Sequence, residues 1–291
     1  MDHNFFALIM AGGQGTRFWP WSTEERPKQF LNIVGEGSLI SQTFERLKNF
    51  IPMENIFVVA DGKYLSQIQE SVEGFSVENF IAEPVPRNTA PCLILANIVL
   101  ARKDPQASVL VVPADHYIPD EEIFARQMTD ALTFARNRFI ITAGIPPLEP
   151  HTGYGYINFD RQKEYWQGET RFFAVNRFEE KPEYPVACQY IDQGNYLWNS
   201  GMFVYSLEFF KESLANYAPY YYEQYILLES SIADQDTFSK HFHAIKPLSI
   251  DYALMEKAKE VVMFEAQFGW NDVGSWSSVY ELRDKDSTRF Y

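Results

Sequence analysis

Several stretches of this sequence carry residue types that can do chemistry. Ala11-Gly12-Gly13-Gln14-Gly15-Thr16-Arg17 follows an apolar run directly. Glycines let a backbone turn tightly and bring N–H groups within reach of phosphate oxygens. Spacing separates this loop from two other phosphate loops. A P-loop has lysine and then Ser/Thr directly after its last glycine, where this chain has Thr16-Arg17. A dinucleotide loop needs a third glycine opening a helix, and here Phe18-Trp19-Pro20-Trp21 follows. Lys28, in Arg26-Pro27-Lys28-Gln29-Phe30-Leu31, adds a cation. Glu83-Pro84-Val85-Pro86-Arg87-Asn88-Thr89-Ala90-Pro91 closes one strand and opens a helix. A helix N-terminus offers unpaired N–H donors and a partial positive charge, and Asn88 suits its cap. Acids stand in Val112-Pro113-Ala114-Asp115-His116 and in Trp270-Asn271-Asp272-Val273-Gly274-Ser275-Trp276. Spacing alone does not pair two acids so far apart.

These residues need elements to position them. Residues 5–11 read as a buried parallel strand, with further strands at 55–60, 79–83, 109–112 and 139–143. Between them lie helices at 39–50, 63–72, 88–103 and 120–136, the last with acids at its start. This alternation predicts an α/β fold with an open, mostly parallel sheet and helices on both faces. Ligands in such folds sit beyond the carboxyl ends of the strands. After Pro146 the pattern changes. Residues 154–160 and 170–179 read as strands of a smaller added sheet and 197–205 as another strand. Helices are expected at 207–214, 220–230 and 250–259, the last capped by Ser249 with Asp251 in its first turn. With no internal repeat or linker, the chain reads as one domain over 1–291. Its nucleotide-binding half is about 1–145 and its sugar-binding half 146–291.

The glycine loop followed by Pro27-Lys28-Gln29-Phe30-Leu31 resembles the nucleotide-diphospho-sugar pyrophosphorylases, and mannose-1-phosphate guanylyltransferases in particular. The resemblance runs from Leu8 to about Trp276. It implies a Rossmann-like nucleotide-diphospho-sugar transferase fold and transfer of GMP from GTP to mannose 1-phosphate, giving GDP-mannose and pyrophosphate. It implies that Gly12, Gly13, Gly15 and Thr16 wrap the nucleotide phosphates. Arg17 would meet the β,γ-phosphates and Lys28 the phosphates around the reacting phosphorus. Glu83, Arg87, Asn88 and Thr89 would lie along base and ribose, and Asp115 and Asp272 would ligate Mg²⁺. His151-Thr152-Gly153-Tyr154-Gly155-Tyr156-Ile157, Phe178-Glu179-Glu180-Lys181-Pro182 and Trp198-Asn199-Ser200-Gly201-Met202-Phe203 resemble segments lining the sugar pocket. A hexose needs paired donors and acceptors, which assigns Glu180 and Asn199 to hydroxyls, Gly155 to a backbone contact and Lys181 to the sugar phosphate. Ser249–Glu256 also matches, with Asp251 toward the pocket. Taken singly, Lys28 reads as a surface lysine, Glu180–Lys181 as a surface ion pair and Asn199-Ser200-Gly201 as a turn. His116 is expected to support the acids rather than bind metal, and His241 and His243 to lie on the surface.

The net charge of −14 argues against nucleic-acid or anionic-membrane partners. Polyphosphates must then be held by local donors, a few cations and a divalent metal. No apolar run is long enough to cross a membrane. Met1-Asp2-His3-Asn4 lacks a secretory n-region, and two cysteines make no disulfide framework, so a reduced, cytoplasmic setting is expected. No fused sugar-phosphate isomerase domain is expected, and a homodimer is left open. Other readings also remain at this stage: a pyrophosphorylase for another base or sugar, a silent regulatory binding protein, or an oxidoreductase, which the loop spacing disfavours.

Overall fold

The computed structural model describes residues 4–13 and 18–282. Five strands of the first half form as expected: β1 Phe5–Met10, β2 Ile56–Asp61, β3 Phe80–Glu83, β4 Ser108–Pro113 and β5 Ile140–Ile145. They are joined later by β6 Tyr156–Gln167, β7 Thr170–Glu179, β8 Tyr196–Ser206 and β9 Val261–Glu265. All nine make one sheet, in the order β3-β2-β1-β4-β8-β5-β9-β7-β6, with β6 also pairing β8. Strands β1 to β6 and β9 run in one direction, and β7 and β8 oppose them. The added strands expected beyond residue 146 are present, and they extend the central sheet. β7 pairs β9, and the start of β8 is shared between β5 and β6. Gly144 permits that crowding, since a Cβ there would lie 2.8 Å from both Leu197 and Met263.

Helices cover both faces. Helix α1 (Leu39–Lys48) is capped by Ser38, whose hydroxyl accepts from Ser41 N–H. It places Ile40, Phe44 and Leu47 against Phe5, Ala7 and Ile9 of β1. Helices α2 (Leu65–Ser71) and α4 (Glu121–Phe134) complete that layer. On the other face α3 (Thr89–Ala101) buries most of its circumference, which suits its nearly all-apolar sequence. Its Asn97 is satisfied inside the core, donating to Leu207 O and accepting from the Tyr225 hydroxyl. Helices α6 (Leu207–Tyr217), α7 (Pro219–Ser231) and α8 (Gln235–Ala244) pack outside α3. Helix α5 (Tyr184–Gln193) lies between β7 and β8, and α9 (Trp276–Leu282) closes the described chain.

Two local expectations are corrected. Residues 63–72 divide into a 3-10 turn, Gly62–Tyr64, and the shorter α2. The helix expected at 250–259 is a single π-turn, Asp251–Met255, cut short because the chain must enter β9. Helix α5 and strand β9 were not foreseen. The Val261–Glu265 strand is only five residues long and carries no turn signal that marks it. No helix among the described residues is long and apolar enough to cross a membrane.

Candidate active site

The carboxyl ends of β1, β3 and β4 open on one side of the sheet. After β1, Gln29 donates to Ala11 O (2.9 Å) and Gly13 O (3.2 Å), which fixes the entry to the glycine loop. Gly15, Thr16 and Arg17 lie outside the described residues. Lys28 opens a 3-10 turn, Lys28–Phe30, and is only 6% exposed. Its ammonium donates to Asp115 Oδ2 at 2.9 Å and to the backbone oxygen of Asp272 at 2.5 Å. Burial would raise the Asp115 pKa, but the Lys28 ammonium, together with His116 and a backbone hydrogen bond, holds the carboxyl below its usual range.

Asp115 and Asp272 meet through a two-residue bridge. Tyr117 N–H donates to Asn271 O (2.9 Å) and Asn271 N–H to Tyr117 O (3.0 Å). Asp272 Oδ1 then accepts from the Tyr154 hydroxyl at 2.7 Å and from Gly274 N–H at 3.1 Å. Val273 adopts φ 47°, a left-handed conformation that is rare for a β-branched residue. Its fully buried side chain packs with Phe18, Leu31, Ile33 and Leu39. His116 accepts at Nδ1 from Trp270 Nε1 (3.1 Å), and burial pushes its pKa down to about 4. Neutral His116 therefore braces Trp270 beside Asn271. No cluster of three or more His, Cys, Asp or Glu among the described residues could hold a metal on protein ligands alone.

Glu83, at the end of β3, is 7% exposed. Burial pushes its pKa up to about 7, against a hydrogen bond from Cys92, and Asp61 adds to the rise. Its Oε1 has no hydrogen-bond partner. Glu83, Gly12, Gly13, Arg87, Asn88 and Asp115 line a cleft of about 390 Å³. Asn88, at φ 68°, caps α3 by accepting from Thr89 N–H at 2.8 Å. Arg87 donates to His243 O, and the Thr89 hydroxyl accepts from Ile250 N–H at 2.8 Å.

A second compartment, of about 220 Å³, adjoins the first and shares Pro113 and Gly201 with it. It brings Gly155, Glu180, Lys181 and Asn199 together with Asp272. Lys181 pairs with Glu180 at 2.6 Å and is 60% exposed. A Cβ on Gly155 would stand 2.9 Å from Glu180 Oε2, so glycine leaves room for that carboxylate. Asn199 donates to Asp251 Oδ1 at 2.8 Å. His243 is exposed and His241 half-buried against Ser231. Sequence reasoning did not assign the Tyr154 hydroxyl or the Gln29 amide. Both stand inside motifs already singled out, but nothing in their spacing showed which partner they would meet.

The Nucleotidyl transferase family matches residues 6–289. The chain belongs to that family. A mannose-1-phosphate guanylyltransferase of Salmonella montevideo is 39% identical over 288 residues, 96% of this chain and 60% of the relative. The alginate biosynthesis protein AlgA of Pseudomonas putida is 37% identical over 285 residues, 96% of this chain and 58% of that protein. The chain thus spans about three fifths of the length of the curated relatives it matches. A crystal structure from Thermus thermophilus, described as a mannose-1-phosphate geranyltransferase, superposes with TM-score 0.84 at 31% identity. That match covers 97% of this chain and 80% of the other. Membership in the nucleotidyl transferase family and an α/β fold with helices on both faces agree with the sequence reading.

Proposed function

We propose that this nucleotidyl transferase moves GMP from GTP to mannose 1-phosphate, releasing GDP-mannose and pyrophosphate. The observation that carries the reading is the buried Lys28 ammonium, held by Asp115 and Asp272 where two compartments join. One compartment is lined by the glycine loop and the start of α3 and suits a nucleoside triphosphate. The other presents Glu180, Lys181 and Asn199 and suits a sugar phosphate. The relatives' names supply the base and the sugar.

A sugar-phosphate oxygen is already ionised near neutral pH, so no general base is needed. Positioning and charge neutralisation carry the reaction. Lys28 and Arg17 neutralise the nucleotide phosphates, and Lys181 holds the sugar phosphate. The oxygen of that phosphate attacks the α-phosphorus, a new P–O bond forms, and pyrophosphate leaves with the electrons of the broken one. Asp115, through its carboxylate, and Asp272, through its backbone oxygen, both meet the Lys28 ammonium, and their carboxylates are hard oxygen donors of the kind that fit a divalent cation whose remaining positions are filled by phosphate and water. They would hold Mg²⁺, which supplies charge neutralisation at the phosphates. Tyr154 and Gly274 orient the Asp272 carboxylate.

The test is pyrophosphate release with Mg²⁺ and mannose 1-phosphate, comparing GTP, ATP, UTP, CTP and dTTP with and without EDTA. EDTA-sensitive release with GTP is expected. Release with another nucleotide instead would overturn the base assignment. No release from folded protein that binds GTP would point to a silent binding protein or another acceptor. Lys28→Ala and Asp272→Asn should lower turnover by about a hundredfold or more with an unchanged far-UV spectrum.

A further inference from the structure

His116 follows Asp115 directly and lines the smaller compartment, together with Trp270, Tyr154, Lys181 and Asp272. Its ring meets the Trp270 indole edge-on, with centroids 5.3 Å apart and planes at 86°. Trp270 Nε1 lies 3.1 Å from His116 Nδ1. An indole N–H can only donate, so Nδ1 accepts and carries no proton. Turning the imidazole over would set a carbon against that N–H and lose the bond. The one proton of the neutral ring is therefore fixed on Nε2. No described residue accepts from this Nε2–H.

A sugar phosphate in the smaller compartment must bring its phosphate to Lys28, Asp115 and Asp272. His116 borders that cluster, and the charges of all three residues act on its ring. The arriving anion meets two carboxylates, which can only accept. The nearby cations are already engaged. Lys28 donates to Asp115 and to the Asp272 backbone, and the exposed Lys181 is paired with Glu180. The Nε2–H of half-buried His116 is a donor with no competing protein acceptor. With its proton in place, Nε2 has no lone pair for a cation, so the ring complements the two acids without joining them as a ligand.

We propose that His116 Nε2–H donates a hydrogen bond to a phosphate oxygen of the sugar phosphate, and that Trp270 fixes the tautomer that makes this possible. His116 then binds the attacking phosphate, and Trp270 is a positioning residue acting through it. No proton is transferred. The ring holds an oxygen other than the attacking one and stays neutral throughout. The ligand's identity rests on the proposed transferase reading.

Two substitutions separate the two edges of the ring. His116→Asn keeps an amide oxygen near the Nδ1 position, where it can accept from Trp270, and has nothing at Nε2. His116→Gln carries an amide N–H out to the Nε2 position and gives up the Trp270 acceptor. His116→Asn should raise KM for mannose 1-phosphate, and its calorimetric Kd, by roughly tenfold or more, as expected for a hydrogen bond to a charged group. KM for GTP should stay within about twofold and the melting temperature within about 2 °C, because the Trp270 bond survives. His116→Gln should rescue most of the loss. Two-bond proton–nitrogen spectra of histidine-labelled protein read the tautomer directly, with His116 assigned by the signal missing from His116→Asn. That signal should be of the Nε2–H form in the free protein, and its proton should move downfield when mannose 1-phosphate is added.

Three results would overturn the proposal. The free protein could hold the Nδ1–H tautomer, a result that needs no variant to fold. His116→Asn could bind mannose 1-phosphate as the wild type does. Or His116→Gln could lose as much as His116→Asn, as a ring that only braces Trp270 would. Failure of the wild-type protein to bind mannose 1-phosphate would count against the transferase reading instead. Inorganic phosphate then serves as the probe, and an Nε2 proton that it leaves unmoved would overturn this proposal as well.

Discussion

Glu83 allows a prediction with a worked magnitude. Its carboxyl is 7% exposed, and burial raises its pKa from 4.5 to about 7. Between those values the folded chain keeps a proton that the unfolded chain has lost. The unfolded state then binds fewer protons, so stability falls as pH rises, by about 1.4 kcal/mol per pH unit. From pH 4.5 to about 7 the contribution sums to about 3 kcal/mol, fully present in acid and lost above neutrality. Glu83→Gln has the shape of the protonated acid and cannot ionise. It should match the wild-type protein at pH 5 and exceed it at pH 8 by up to about 3 kcal/mol, roughly 5 °C in melting temperature for a chain of this size. Thermal unfolding of both proteins without ligand at pH 5, 6, 7 and 8 measures the gap. A gap that does not change with pH, or a variant less stable at pH 8, would refute the reasoning. The same variant should bind GTP more weakly if Glu83 meets the base as a carboxylate, which calorimetry at pH 8 reads.

Tyr154→Phe removes the 2.7 Å bond to Asp272 Oδ1, and turnover should fall about tenfold, with the melting temperature lowered by only a few degrees. A turnover equal to wild type would remove Tyr154 from the site. Asn79→Ala takes away an amide nitrogen that serves the carbonyls of Met53, Glu54 and Ile56 at 2.9 to 3.3 Å. It should cost about 1–3 kcal/mol in urea unfolding, with activity per folded molecule unchanged. Val273→Gly relieves the left-handed strain but loses a fully buried side chain, so its net stability change should stay within about 2 kcal/mol. Turnover should nevertheless fall at least tenfold, because Asp272 loses its anchored neighbour. A fall in stability without a fall in turnover would mean that Val273 only packs.

The parts of the fold legible in the sequence are those with local signals. The apolar run 5–10 and the Ile40, Phe44, Leu47 spacing predict β1 and α1 because burial of one face imposes its period on neighbouring residues. Asn88 announces α3 because capping involves adjacent residues. Strand β9 has five residues and borrows its stability from β5 and β7 on either side, so its own sequence says little. The split of residues 63–72 and the shortening of 250–259 depend on where the chain must go next. Glu180 and Lys181 show why single residues mislead. They do form the ion pair that a surface reading expects, and they also line the smaller compartment.

The candidate site depends on long-range pairing even more than the fold does. Lys28 meets Asp272 through its backbone oxygen, an atom every residue possesses, so no residue type there could have signalled the contact. The Tyr117–Asn271 bridge that brings Asp272 beside Asp115 is likewise made of main-chain bonds. Side-chain chemistry is written in residue types, whereas the juxtaposition of segments is written in hydrogen-bond ladders, whose donors and acceptors are the same at nearly every position. Antiparallel β8, inserted between β4 and β5, shows the consequence. Its carboxyl-terminal half completes the sheet, while Asn199 and Gly201 in its amino-terminal half reach the cleft where the parallel strands β1 and β4 end. One reversed strand thus places Asn199 in the smaller compartment and Gly201 in both, so that the two compartments adjoin as halves of one cleft.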